Sequence, residues 1–217
     1  MIEVRRAALV LLLVLLPVGL VIAQTKVYRG STLTIQGVVK DELGNGVAGA
    51  TVELRDGTTV LASTTSGTGG SFTLTWNVPA GYPLGPKTLT VYVPEQPSIY
   101  VEASSTSVSI EVWDLASIQA QGPSRIHRGE EVTVSGQAGC SSGTVQLYCG
   151  GSQVGSCSIG SDGSFSITFT VPMSWERGPK TLTLTGSGGQ YVELQGAELE
   201  TELWIRPNIE ITSVSGG

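Results

Sequence analysis

The chain has 217 residues, with 12 Lys and Arg against 18 Asp and Glu, a net charge of -6, and charged side chains make up only 14% of it. Its 29 glycines and its wealth of Ser, Thr and Val favour sheets and turns over helices. Without the stretch carrying Glu3, Arg5 and Arg6, ten basic and seventeen acidic side chains remain, the basic ones scattered singly from Lys26 to Arg206; that excludes nucleic acid as a partner, which needs a clustered basic face.

At the N-terminus Arg5 and Arg6 precede an apolar run from Ala7 to Ala23, with Pro17 and Gly19 near its end and Val21-Ile22-Ala23 before Gln24. A basic start, an apolar centre and small or aliphatic residues at the close follow the order of a secretory signal peptide. Residues 1–23 are therefore expected to be a leader cleaved after Ala23. Two other readings stand beside this one. A retained anchor would be short of the roughly 20 residues that a spanning helix needs. Arg6-Ala7-Ala8-Leu9 also looks like the leader of archaeal type IV pilins, although strand-like sequence follows it at once. Beyond Ala23 there is no second apolar span, sortase-type motif or lipid-acceptor cysteine. The mature protein is expected outside the cell, without a membrane span, either free or held by other proteins.

From Val27 onward the chain repeats itself. Val27–Gly37 lies over Ile126–Gly136 at an offset of 99, and Thr51–Val91 lies over Thr144–Leu184 without a gap at an offset of 93. Eighteen of the latter forty-one positions are identical, among them Gly70-Ser71-Phe72 with Gly163-Ser164-Phe165 and Gly85–Thr90 with Gly178–Thr183. A repeat of this length means two homologous domains. Within the first, apolar residues alternate at Leu33 and Ile35, Val52 and Leu54, Phe72, Leu74 and Trp76, then Leu89 and Val91. Period two over short runs broken by Gly, Pro and Asp-Gly predicts strands with one buried face, about seven per repeat, in an antiparallel sandwich. Arg55-Asp56-Gly57-Thr58 places an Asp-Gly turn between two of them, and Gly46 in the Asn45-Gly46 pair is expected to supply backbone angles closed to other residues.

The stretch from Gly37 to Val52, the Gly-Ser-Phe strand starts and the Pro79 and Pro172 strand ends resemble the prokaryotic immunoglobulin-like repeats of secreted and cell-surface proteins. The resemblance implies an all-β chain of two tandem antiparallel Ig-like β-sandwich domains, 24–114 and 115–205, after the signal peptide. It is weaker for the second repeat, which lacks the Asp-x-x-Gly-x-x-Val loop of the first. Members of that family are stalks, adhesins, filament subunits and accessory domains of enzymes, so the likeness speaks for fold and hardly for activity.

No enzyme is expected, because the one histidine, His127, sits in an Arg-Gly turn equivalent to Tyr28 and has no other His with which to build a triad or zinc cluster. No cofactor or metal is expected either: Glu198, Glu200 and Glu202 alternate as a solvated strand face does, without the spacing of a calcium loop. Recurrence of aromatic residues at Trp76 and Phe169, Trp113 and Trp204, and Tyr82 and Trp175 reads as core packing rather than a sugar-stacking platform. Lys87 and Lys180 match, but Asn77 becomes Thr170, so a shared isopeptide cross-link is unsupported. Asn45, Asn77 and Asn208 begin no Asn-x-Ser/Thr acceptor.

Cys140, Cys149 and Cys157 all lie in the second repeat. If Leu147 pairs with Val154 around Gly150-Gly151, Cys157 falls opposite Thr144 near the loop holding Cys140, with Cys149 at the far end of the hairpin. A disulfide between Cys140 and Cys157 is the expected pairing in an exported protein, leaving Cys149 as a core residue or, alternatively, a cross-link between chains.

The ends do not match. Ser117–Gln121 looks like the first strand of the second domain, whereas the offset of 99 puts Ile118 over Gly19 of the leader. After Trp204, the tail 206–217 resembles the opening strand of a further repeat. Hence the expected function is that of a non-enzymatic structural or adhesive cell-surface protein, a filament or lattice subunit in which Ile209, Ile211 and Val214 of the tail complete the first domain of the next copy head to tail. The alternative is a monomeric surface module that binds a ligand or other cell-surface proteins.

Overall fold

The computed structural model describes the backbone of residues 9–12 and the residues 25–214. The expected leader and its cleavage after Ala23 otherwise lie outside the described residues. The chain divides into two compact units, Met1–Asp114 and Leu115–Gly217.

The first unit contains β1 (Leu9–Leu12), β2 (Thr25–Tyr28), β3 (Thr32–Val38), β4 (Thr51–Asp56), β5 (Thr59–Thr65), β6 (Ser71–Asn77), β7 (Gly85–Val93) and the first part of β8 (Ser104–Gln121). Strand β3 pairs antiparallel with β6, setting Leu33 opposite Trp76, Ile35 opposite Leu74 and Gly37 opposite Phe72. On its other side β3 takes β1 in parallel, from Leu9 against Leu33 to Leu12 against Gln36. The remaining strands form a second group in the order β2-β8-β7-β4-β5. Alternation makes this arrangement compact: inward residues of β3 and β6 share one core with Val52, Leu54, Leu89, Ile110 and Val112 of the other group. Each such side chain contributes about 1.5–3 kcal/mol by leaving water.

The second unit repeats the plan with β9 (Arg125–His127), β10 (Glu131–Ala138), β11 (Gly143–Cys149), β12 (Ser152–Ser158), β13 (Ser164–Thr170), β14 (Gly178–Gly188), β15 (Val192–Gln195) and β16 (Ala197–Trp204). Strand β10 pairs with β13, putting Gly136 opposite Phe165. A second group runs β9-β16-β14-β11-β12. Residues 117–121, expected as a separate opening strand, are the end of β8, so the boundary between units falls inside one strand. Its last residues pair antiparallel with β10, Ile118 opposite Ala138 and Ala120 opposite Gly136.

Two turns differ from expectation for local reasons. Asp56 still pairs with Thr59, so the loop between β4 and β5 is Gly57-Thr58. In the long loop it is Gly44 that adopts a left-handed backbone (φ 86°); Gly46 is needed because a β-carbon there would lie 2.0 Å from the Gly69 carbonyl oxygen.

A β-carbon on Gly136 would meet the Gln119 carbonyl oxygen of β8 at 2.0 Å and the Phe165 ring at 2.8 Å. Gly136→Ala should therefore weaken the second unit by about 1–3 kcal/mol in chemical denaturation, while Gly81→Ala, with nothing within 4 Å, should stay within about 0.5 kcal/mol. Equal effects would show that β8 does not lie so close to β10.

Candidate functional site

The two units close their cores differently. In the second, Ala116 and Ile118 of β8 and Leu194 of β15 are buried against Val145, Phe165 and Leu184. The corresponding end of the first unit holds a cavity of about 440 Å³ whose walls include Val39, Val47, Phe72, Val93, Val101 and Ala103. At the offset of 91 set by Trp113 and Trp204, Ala103 stands where the second unit has Leu194. Among the described residues no strand pairs with Gly37 or Val38 on the side of β3 away from β6; β1 stops at Gln36.

One wall of this groove is the loop Lys40–Val47, which occurs only in the first repeat. Asp41 organises it: its carboxylate accepts from the backbone of Leu43 (3.0 Å) and Asn45 (2.7 Å) and from the Asn45 side chain (3.0 Å). Lys40 bridges to Gly46, and the Val47 amide donates to the Val39 carbonyl at 2.9 Å. Across the groove Tyr100 takes a left-handed conformation (φ 55°) with its side chain fully in solvent.

The tail lies apart from any sheet. Residues 205–214 contain no strand, and Ile209, Ile211 and Val214 are 86%, 76% and 88% exposed. The expected donor residues are thus displayed to solvent, and the structure does not bring them to β3.

The cysteines are free in the structure. Cys157 lies opposite Val145, not Thr144, because a bulge between Leu147 and Tyr148 pairs Leu147 with Gly155 and shifts the hairpin by one residue. Cys140 and Cys157 are both half-buried against the same core, and the Cys140 thiol donates to the Ser142 carbonyl at 3.3 Å. Cys149 is a core residue, and burial pushes its thiol pKa up.

The other candidates resolve into structural roles. The His127 amide and ring both contact the Glu130 carboxylate (2.8 and 3.0 Å), as the Tyr28 amide contacts the Ser31 hydroxyl, so this pair caps a repeated turn; the contact holds the Glu130 carboxyl below its usual range. Tyr82 packs edge-on to Trp76 at 4.8 Å, and its hydroxyl donates to Asp56. Burial, with Asp56 beside it, pushes the Tyr82 phenol up. Trp175 packs near Phe169 at the matching place in a looser, tilted contact of 6.2 Å. By contrast Trp113 and Trp204 each carry a cation over the ring, Lys26 and Arg125, and donate to a neighbouring glutamate; these two are surface clamps. Glu198, Glu200 and Glu202 point outward along β16, and no cluster of three metal-ligating groups occurs among the described residues. Asn77 accepts from Thr32 and Lys87 approaches the Tyr82 ring. No helix among the described residues is long and apolar enough to cross a membrane.

An incomplete first domain was expected from the unmatched ends of the chain, but not the place of the groove. The signals that could have found it are Gly37, retained in mid-strand, and the exchange of Leu194 for Ala103.

The donors around Asp41, the Asn45 side chain foremost, hold its carboxyl below the usual aspartate range. A carboxylate whose folded pKa is depressed contributes fully above its unfolded value, and the contribution is lost as pH falls through the folded one. Amide exchange should therefore show Asn45 protected through the ordinary carboxylate range and released only at more acidic pH. Release at higher pH would mean that Asp41 does not hold the loop, and Asp41→Ala should abolish the protection throughout.

Residues 23–91 match the family model described as bacterial Ig domain. No curated protein matches the chain by sequence. Among solved structures it is similar to one from a 1.5-MDa bacterial ice-binding adhesin (15% identity, 83% of this chain and 60% of that one, TM-score 0.34). It is also similar to a tetra-tandem repeat from the extending region of a large adhesion protein (20% identity, 79% and 50%, TM-score 0.38) and to Rst D1-D2 (10% identity, 84% and 95%, TM-score 0.44). The chain thus spans only about half to three fifths of the two adhesin structures. Likeness of this strength is common among β-sandwiches and assigns no activity. The sequence match is confined to the first repeat, and it makes that repeat, with its alternating strands, similar to a bacterial immunoglobulin-like domain.

Proposed function

We propose that this chain is a non-enzymatic structural or adhesive protein of the cell surface, exported through a cleaved signal peptide at 1–23 and built from two tandem Ig-like sandwiches, 24–114 and 115–205. In this reading the tail, 206–217, joins copies head to tail by donating a strand. The observation that carries it is the pairing of opposites within one chain: three exposed apolar residues in a segment without sheet partners, and a sheet edge in the first unit beside a groove with an apolar floor at Val39, Phe72 and Val93 and a polar rim. Exposed, alternating apolar residues are the form in which strand addition supplies both backbone hydrogen bonds and side chains for pockets. The exposed Tyr100 at the groove rim favours a second reading, a monomeric module that takes a strand from another surface protein.

The exported full chain should form fibres or higher oligomers in light scattering and electron microscopy, and a chain stopped after Ile205 should remain monomeric. Two monomers of equal stability would refute assembly through the tail and favour the second reading. We also propose that the exported protein joins Cys140 to Cys157, both half-buried against one core. Non-reducing peptide mapping should recover that link with Cys149 free, and any link through Cys149 would overturn it.

A further inference from the structure

The second unit contains a template for how the first unit is completed. There the end of β8 crosses Gly136 so closely that only glycine fits, with Ile118 opposite Ala138 and Ala120 opposite Gly136. The offset of 99 carries Gly136 to Gly37 and Ala138 to Val39; Gly37 is buried opposite Phe72, and Gly136, half-buried, lies opposite Phe165. A glycine inside a strand costs about 0.5–1 kcal/mol relative to alanine and often marks the close approach of another backbone. Val39, two residues further along, lines the groove.

The tail carries the matching half. Four residues separate Trp113 from Ile118 and four separate Trp204 from Ile209, so the offset of 91 lays Ile209, Glu210, Ile211 and Thr212 over Ile118, Gln119, Ala120 and Gln121 without a gap. Resting on the self-assembly reading above, we infer that the groove beside Gly37–Val39 is the acceptor for the Ile209-Glu210-Ile211 strand of a second copy of this chain. The strand lies antiparallel to β3, with Ile209 opposite Val39 and filling the cavity, Ile211 opposite Gly37 and Thr212 opposite Gln36, the last an edge position that β1 holds until the leader carrying it is removed. The larger Ile211, in place of Ala120, brings apolar volume to a unit whose wall has Ala103 in place of Leu194. Glu210 then falls opposite Val38, diagonal to Lys40, within reach of a favourable cross-strand charge pair. The five Cα steps from Trp204 to Ile209 span at most about 18 Å, which requires the acceptor to abut the end of β16.

Two full-length exported chains test this register, one bearing Val39→Cys and the other Ile209→Cys, mixed under mild oxidation with the unsubstituted chain as control for the native thiols. Directly opposed residues of antiparallel strands are about 4.5–5.5 Å apart at Cα, within disulfide range. The expected product is a 39–209 link between two copies, formed only in the mixture. Ile209→Asp, at a fully exposed position that cannot disturb folding of its own chain, should lower the assembled fraction on the order of ten- to a hundredfold. Assemblies that form without the 39–209 link, or that tolerate Ile209→Asp, would overturn the acceptor site while leaving self-assembly intact. A link formed within one chain carrying both cysteines at high dilution would overturn the second copy as donor. Absence of any assembly of the unsubstituted chain would overturn the underlying reading itself.

Discussion

The outermost strand of a sheet presents a row of amide and carbonyl groups with no protein partner, and a protein must pair, cover or charge that edge. In this chain the edges concerned are those of β3 and β10, and most of what distinguishes the two units follows from them. Strand β10 is covered along Ser135–Ala138 by the end of β8, which also inserts Ala116 and Ile118 into the core. Strand β3 receives β1 along Leu33–Gln36 in the opposite sense, parallel rather than antiparallel. The groove, the retained glycine and the loop Lys40–Val47 all gather at the stretch of β3 past Gln36, where the described pairing with β1 ends.

A repeat with closely similar strands has thus produced two different ends. The second unit meets the demand with its own side chains; the first replaces Leu194 by Ala103 and builds a wall from a loop held by the Asp41 carboxylate. Elsewhere the copies remain alike in chemistry even where the residues change. Lys26 over Trp113 becomes Arg125 over Trp204, and the Ser31 cap of one turn becomes the Glu130 cap of the other. Substitutions that preserve function this closely mark sites under structural demand, and the groove is where that correspondence is broken.

Much of the fold was legible in the residues because period-two alternation translates directly into a buried face: Leu33, Ile35, Leu74 and Trp76 are in the core that their spacing predicts. The turn at Gly57 was legible to within one residue. The position of Cys157 was not, since a bulge at Leu147 and Tyr148 leaves no mark in the pattern yet moves each later partner by one. Ser117–Gln121 was recognisable as a strand, but its continuity with β8 was not, because nothing in Asp114-Leu115 signals that pairing merely changes from β7 to β10. The tail showed its alternating isoleucines plainly. Its proposed acceptor stayed hidden, because a groove is made by small residues from distant segments, and no local window contains Gly37, Phe72 and Ala103 together.

Cys149 closes the inner face of β11 opposite Leu182, and its thiol is kept from ionising by burial. Only the thiolate reacts readily with alkylating reagents or disulfides, so this side chain is silent while β11 stays in place and becomes reactive when the strand opens. All three cysteines lie in the second repeat, and Cys149 is the only one of them in its core. The molecule therefore carries, in one half only, an internal clock: the speed at which Cys149 is labelled counts the openings of the second unit and leaves the first unit unrecorded.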